Sequence, residues 1–217
     1  LDPHNPVLAA HRAQGKRVLT VDGDAIVASE GSWRERLPLR DIPLTRQGSI
    51  GFQVDNAMAA IGAAWSEGLA WDAIRGGLAS FTNDADNAPG RFNVMDHHGA
   101  TVIADYGHNP DAMRALVAAV QRMPARRRVV VISGAGDRRD EDIREQTAIL
   151  GDVFDDFILY QDACQRGRAD GEVLRLLREG LSKAQRAQHV LVQRRHSQLG
   201  LLLLLLLPAG WADRCRG

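Results

Sequence analysis

Residues 17–29 alternate apolar and polar side chains around Asp22-Gly23, the period and turn chemistry of a small β-hairpin. The pattern then loosens. Trp33 to Pro43 reads as a short irregular or strand-like segment ending in Ile42-Pro43-Leu44. Over 51–66 the period becomes helical, with Val54, Met58, Ile61 and Trp65 on one face. After the turn at Gly68 a second helix is predicted from Trp71 to Ser80, with Ile74 and Leu78 one turn apart. Asn83 to Gly90 is polar and carries Pro and Gly, so it reads as a linker. A domain boundary is placed there, giving units of 1–88 and 89–217.

Beyond the linker, strands and helices alternate. Arg91 to Asp96 and Thr101 to Asp105 are predicted strands around the His97-His98-Gly99 turn. Pro110 to Arg122 is a predicted helix, with its proline just inside the start, where a missing N–H costs nothing. Arg128 to Ser133 is an apolar, β-branched run of the kind found in buried parallel strands. A helix over Glu141 to Leu150, a strand over Phe154 to Tyr160 and a helix over Gly171 to Leu181 follow. Strand–helix pairs in succession predict an α/β fold with a parallel sheet and right-handed crossovers.

The end of the chain breaks this pattern. Leu199 and Gly200 precede an unbroken leucine run, Leu201 to Leu207, followed by Pro208-Ala209-Gly210-Trp211-Ala212. The apolar stretch, about fourteen residues, falls short of the roughly 20 that span a bilayer, so no membrane partner is expected. A buried core helix is one reading. The preferred expectation is an aberrant, out-of-frame tail from about residue 190, in which case the last strand of the sheet is missing.

Composition narrows the function only a little. A length of 217 residues suits one large domain or one and a half smaller ones. Formal net charge is zero, so no polyanion partner is implied. Arg126-Arg127-Arg128 lies just before a strand with no interleaved aromatics and reads as a solvated loop, not a nucleic-acid patch. Cys164 and Cys215 are too few and too scattered for a disulfide framework or a zinc site, which fits a reducing cytoplasm. The first residues lack a signal pattern and an initiating methionine, so a fragment is expected. A homo-oligomer is compatible with all of this.

The chemistry concentrates between Pro89 and Asp111. Asp105 is the last residue of a strand, placed to accept hydrogen bonds from ribose hydroxyls at the carboxyl edge of an α/β sheet. The bland reading is a helix N-terminal acid, a role that Asp111 fills better. Arg91 follows Pro89-Gly90 at a hinge, where a guanidinium fork suits phosphate oxygens; the competing reading is a solvated linker arginine. Asn109 either contacts a ligand or simply initiates the helix before Pro110, and both can hold. Asn56 lies opposite the apolar stripe of its helix, as an adenine-pairing amide or an ordinary surface residue. Gly134-Ala135-Gly136-Asp137-Arg138-Arg139 superficially matches a dinucleotide fingerprint, but Arg139 replaces the third glycine, which argues against NAD. Asp137 and Arg138 are candidates to face a cleft there. His97 and His98 read as turn residues, and no metal ligand set is assigned.

Gly90-Arg91-Phe92, then Asp105-Tyr106-Gly107-His108-Asn109-Pro110, resembles the carboxyl-terminal domain of the Mur ligase superfamily. The upstream run Gly51 to Ala60, the Gly134 to Arg138 turn and the Cys164 to Gly171 segment support the resemblance, which covers roughly residues 5 to 188. It implies a Rossmann-like, mostly parallel carboxyl-terminal domain preceded by the tail end of a central ATPase domain. It also implies an ATP-dependent ligase that activates a carboxylate as an acyl phosphate for attack by an amine. Within the superfamily the match is nearest to the branch that joins arginine to the aspartate side chains of a polymer. Peptidoglycan-precursor and folylpolyglutamate ligases, or a catalytically inactive nucleotide-binding remnant, are the alternatives. By resemblance, Asn56 binds the adenine, Arg91 contacts the nucleotide from between the domains, and the loop carrying His108 and Asn109 lies against it. The family's phosphate loop, G-x-x-x-x-G-K-[ST], does not occur in this chain, so that loop and the Mg²⁺ ligands are expected upstream.

Overall fold

The computed structural model describes residues 5–162, 164–183, 186–187, 189–197 and 202–207. Its contacts divide the chain into two units, Leu1–Asn83 and Asp84–Gly217.

The first unit opens with helix α1 (Pro6–Ala13), which the apolar pattern does not announce. Asn5 caps it by accepting the Val7 N–H at 2.9 Å, and Pro6 fills its first position. Strands β1 (Val18–Asp22), β2 (Ala25–Glu30) and β3 (Trp33–Pro38) then form an antiparallel meander in that order. The expected hairpin is present, with Asp22 paired to Ala25 across the Gly23-Asp24 turn. The strand-like segment after it adds the third strand. Helices α2 (Gly51–Ser66) and α3 (Trp71–Ser80) bury the stripe read from the sequence, Val54, Met58, Ile61, Trp65 and Ile74, against Ile26, Ala28 and Leu37 of the meander. Trp33, Trp65 and Trp71 meet with ring centroids 5.1–5.7 Å apart, and the Arg17 guanidinium lies 4.9 Å from the Trp65 ring.

The second unit is an α/β layer structure. Its strands are β4 (Arg91–His97), β5 (Ala100–Asp105), β6 (Arg127–Ile132), β7 (Asp156–Asp162), β8 (His189–Ser197) and β9 (Leu202–Leu207). Helices α4 (Pro110–Gln121), α5 (Asp140–Gly151) and α6 (Glu172–Gly180) connect them. The sheet order is β4-β5-β9-β6-β7-β8. β6, β7 and β8 pair in parallel, while β9 runs antiparallel to both β5 and β6. β5 therefore points the same way as β6, β7 and β8, and the sheet is mostly parallel, with β4 and β9 reversed. The β4–β5 connection is a two-residue turn, His98-Gly99, with φ of 52° and 79°. β7 begins at Asp156 and not at Phe154, because Phe154 is buried in the turn before it.

The leucine run corrects an expectation. The expected gap is filled: Leu202–Leu207 of the run form the strand β9, inserted between β5 and β6 in the sheet. A central strand is covered on both faces and so carries no alternation, which is why the run shows no period. Leu204 and Leu206 are buried at 0% and 2% exposure. The core around them includes Ile103, Met113, Val130, Ile132, Ile143, Phe157, Leu159 and Leu176.

Candidate functional site

The parallel direction of β5, β6 and β7 brings their carboxyl ends to one edge, where loops 106–109, 133–139 and 162–171 meet. Ligands in open α/β sheets bind at this edge.

The β4–β5 register sets Arg91 across from Asp105 at that edge. The pairing then slips between Arg91 and Asn93, and Phe92, with φ of 57°, is the extra residue of a β-bulge. Asp105 does more than the sequence suggests. Its Oδ1 accepts the Gly107 N–H at 2.6 Å, and its carboxylate also accepts the Phe92 N–H. Burial pushes this carboxyl above its usual range, although the two N–H groups and the nearby Arg91 and His108 charges oppose the shift. Gly107 is required by the tightness of the turn: a Cβ there would lie 2.6 Å from Met113 Cε and 2.9 Å from Asp105 Oδ1.

His108 and Asn109 divide the roles that the sequence left open. Asn109 Oδ1 accepts the Ala112 N–H at 2.8 Å, so this side chain caps α4. His108 Nδ1 lies 3.0 Å from the Tyr106 carbonyl oxygen, and the two rings are 5.4 Å apart. The loop is held from below by Gln146, fully buried, whose Nε2 donates to the His108 carbonyl at 3.2 Å.

A cavity of about 50 Å³ lies at the same edge, lined by Tyr106, His108, Ser133, Asp162, Cys164 and Arg166 among others. Arg166 unites its walls. Its guanidinium donates to Asp137 at 2.9 Å and also bonds Tyr106. The bond from Arg166 holds the Asp137 carboxyl below its usual range. Ser133 Oγ is buried and has no hydrogen-bond partner among the described residues. Arg138 does not line the cavity among the described residues; its carbonyl instead accepts from Arg168 at 2.6 Å. The structure thus gathers Arg91, Asp105 and His108, reaches Asp137 through Arg166, and leaves Arg138 outside.

Loops 133–139 and 162–171 are also locked to each other. A Cβ at Gly136 would collide with the Gln165 carbonyl. Arg168, with its side chain 15% exposed, donates to the Gly136 carbonyl at 2.7 Å and pairs with Asp140 and Glu172 at 2.7 Å each. Neither Arg166 nor Arg168 was given a role from sequence, although both sit in a segment that carries the resemblance.

In the first unit, Asn56 sits on the rim of an apolar groove of about 410 Å³ lined by Ile42, Leu44, Ile61, Leu78 and Phe81. Its Nδ2 donates to the buried Gln53 Oε1 at 2.9 Å. Among the described residues, no three His, Cys, Asp or Glu side chains stand together as a metal set, and no helix is long and apolar enough to cross a membrane.

Comparison with known proteins adds a lineage to this geometry. The profile of the family "Mur ligase, glutamate ligase domain" matches residues 90–199. Cyanophycin synthetase of Synechocystis sp. is 35% identical over 182 residues, covering 83% of this chain and 21% of that protein. UDP-N-acetylmuramoyl-L-alanyl-D-glutamate–2,6-diaminopimelate ligase of Geobacillus kaustophilus is 30% identical over 149 residues, covering 68% of this chain and 29% of the relative. The chain therefore spans about a fifth of the length of the cyanophycin synthetases it matches. In fold it is similar to folylpolyglutamate synthase of Mycobacterium tuberculosis, solved with ADP and AMPPCP, with TM-score 0.55 and 23% identity over 82% of this chain and 37% of that one.

Proposed function

Since this chain belongs to the Mur ligase family, we propose that it is part of an ATP-dependent amide ligase of the cyanophycin synthetase kind. Residues 1–88 are assigned to the end of a central ATP-binding domain and 89–217 to the Rossmann-like carboxyl-terminal domain. The supporting observation is the β4–β5 register, which opposes Arg91 and Asp105 at the ligand-binding edge.

In this reading the Arg91 fork takes phosphate oxygens and Asp105 accepts from ribose hydroxyls. His108 packs beside the nucleotide, and Asn109 shapes the loop as the cap of α4. Asn56 offers an amide to an adenine edge from the rim of an apolar groove, the combination of apolar walls and few polar groups typical of small-molecule sites. Asp137, held by Arg166, and the cavity with Ser133 are assigned to the amino-acid or peptide substrate. The whole ligase would convert a carboxylate to an acyl phosphate with ATP; an amine then attacks, releasing ADP and phosphate. For a cyanophycin-type substrate, the amine is that of arginine and the carboxylate an aspartate side chain of the polymer. The Mg²⁺ ligands are assigned, with the phosphate loop, to a part of the ligase that this chain does not include. With no G-x-x-x-x-G-K-[ST] loop, this chain alone is expected to bind nucleotide without ligating. A cytoplasmic setting belongs to the same reading, supported by cysteines too few and too scattered for a disulfide framework.

Titration calorimetry of the 217-residue chain with ATP tests the reading. Measurable ATP binding that Asp105→Ala and Arg91→Ala each weaken is the expected result. Unchanged affinity in either variant, or tighter binding of NADH than of ATP, would overturn it.

A further inference from the structure

Arg91 stands first in its strand and is exposed, whereas Phe92 and Asn93 are both buried, at 1% and 2%. Strand alternation cannot produce that order, because it would send Arg91 and Asn93 to the same face. The left-handed φ of Phe92 and the bulge at this position break the alternation. A bulky residue in that conformation costs free energy and persists only where its surroundings hold it.

Asn93 supplies that hold. Its Oδ1 accepts the Gly90 N–H at 2.7 Å, and its Nδ2 donates to the carbonyls of Asp84 at 3.0 Å and Ala88 at 2.9 Å. One buried amide therefore binds the segment before Arg91 at three backbone points. On the far side, the Phe92 N–H is taken by Asp105 and the Gly90 carbonyl by the Tyr106 N–H at 2.7 Å. The stretch read from sequence as a linker is thus tied down on the second unit, with Arg91 projecting from the end of a clamped loop.

We infer that Asn93 is a positioning residue for the nucleotide site, fixing where the Arg91 guanidinium stands without itself touching ligand. The inference rests on the proposed role of Arg91. An aspartate could accept from Gly90 as the asparagine does, but it would set a carboxylate oxygen against two carbonyl oxygens. An alanine would take away the acceptor of the Gly90 N–H and one of the donors to each of the Asp84 and Ala88 carbonyls.

The test is ATP affinity by calorimetry for the whole chain and for Arg91→Ala, Asn93→Ala, Asn93→Asp and the double variants. Loss of a charge-assisted contact corresponds to about tenfold to a hundredfold, so Asn93→Ala is expected to weaken ATP binding by that factor. On the Arg91→Ala background the same change should have no further effect, because a positioning residue has nothing left to position. Equal losses on both backgrounds would make Asn93 merely structural and overturn the inference while leaving the functional reading intact. Unchanged affinity in Arg91→Ala would overturn both. If the Asn93 variants do not fold, hydrogen exchange at the Gly90 amide of the unaltered chain decides: slow exchange, retained in Arg91→Ala, supports the clamp, and fast exchange overturns it.

Discussion

Replacing Arg168 by alanine removes the pin that holds two loops of the candidate site together. The guanidinium donates to the backbone carbonyls of Gly136 at 2.7 Å and Arg138 at 2.6 Å, and its side chain is 15% exposed. Charge-assisted bonds contribute about 1.5 kcal/mol each, so the part-buried bond to Gly136 and the exposed bond to Arg138 together reach at most on the order of 3 kcal/mol. The pairs with Asp140 and Glu172 lie at the surface, where salt screens them, so they add little at high ionic strength. A loss of that size raises local opening of the two loops by about a hundredfold, since each 1.4 kcal/mol is a factor of ten. Hydrogen exchange read by mass spectrometry over 134–139 and 164–171 is the right assay. Tryptophan emission is a poor one, because three of the four tryptophans, Trp33, Trp65 and Trp71, report on the first unit. Arg168→Lys should fall between, since an ammonium is a point donor and cannot span the same acceptors. Unchanged protection of both loops in Arg168→Ala would refute the reasoning.

Four further outcomes are expected. Gly136→Ala forces the loop containing Gln165 away and should cost about 1–3 kcal/mol in a melt followed by circular dichroism; an unchanged midpoint would show that the loops are not in contact. Leu204→Ala in the central strand should cost about 2–5 kcal/mol in urea unfolding, and Leu204→Met less than about 1.5 kcal/mol; similar small losses in both would place β9 outside the core. The raised carboxyl of Asp105 binds its proton more tightly folded than unfolded. Its contribution is therefore fully present below the unfolded value of about 4 and lost as pH rises through the raised folded value, and Asp105→Asn should flatten that segment of the stability–pH curve. A curve of the same slope in Asp105→Asn would count against it. Asn109→Ala should destabilise the fold by about 1 kcal/mol through loss of the α4 cap, with Asn109→Ser restoring most of it; no recovery would assign the side chain another role.

The apolar periods of residues 17–29, 51–66 and 71–80 were legible because each element buries one stripe against one neighbour, and local spacing records that. The strand–helix order after residue 90 marked the α/β class, and the place of Asp105 at the end of a predicted strand put it at the carboxyl edge of the sheet. Local spacing holds no record of partners far along the chain. The leucine run was recognisably apolar, but whether it became a helix, a stray tail or a strand depended on β5 and β6 leaving a gap whose two edges needed hydrogen bonds. Seven identical side chains carry no register of their own, so the neighbouring strands decide it. The same holds at the site. The residue types and their order were written in the chain, but the bulge at Phe92, the amide of Asn93 beneath it and the bonds of Arg166 and Arg168 exist only once distant loops are packed together, because a hydrogen bond is specified by distance and direction in space.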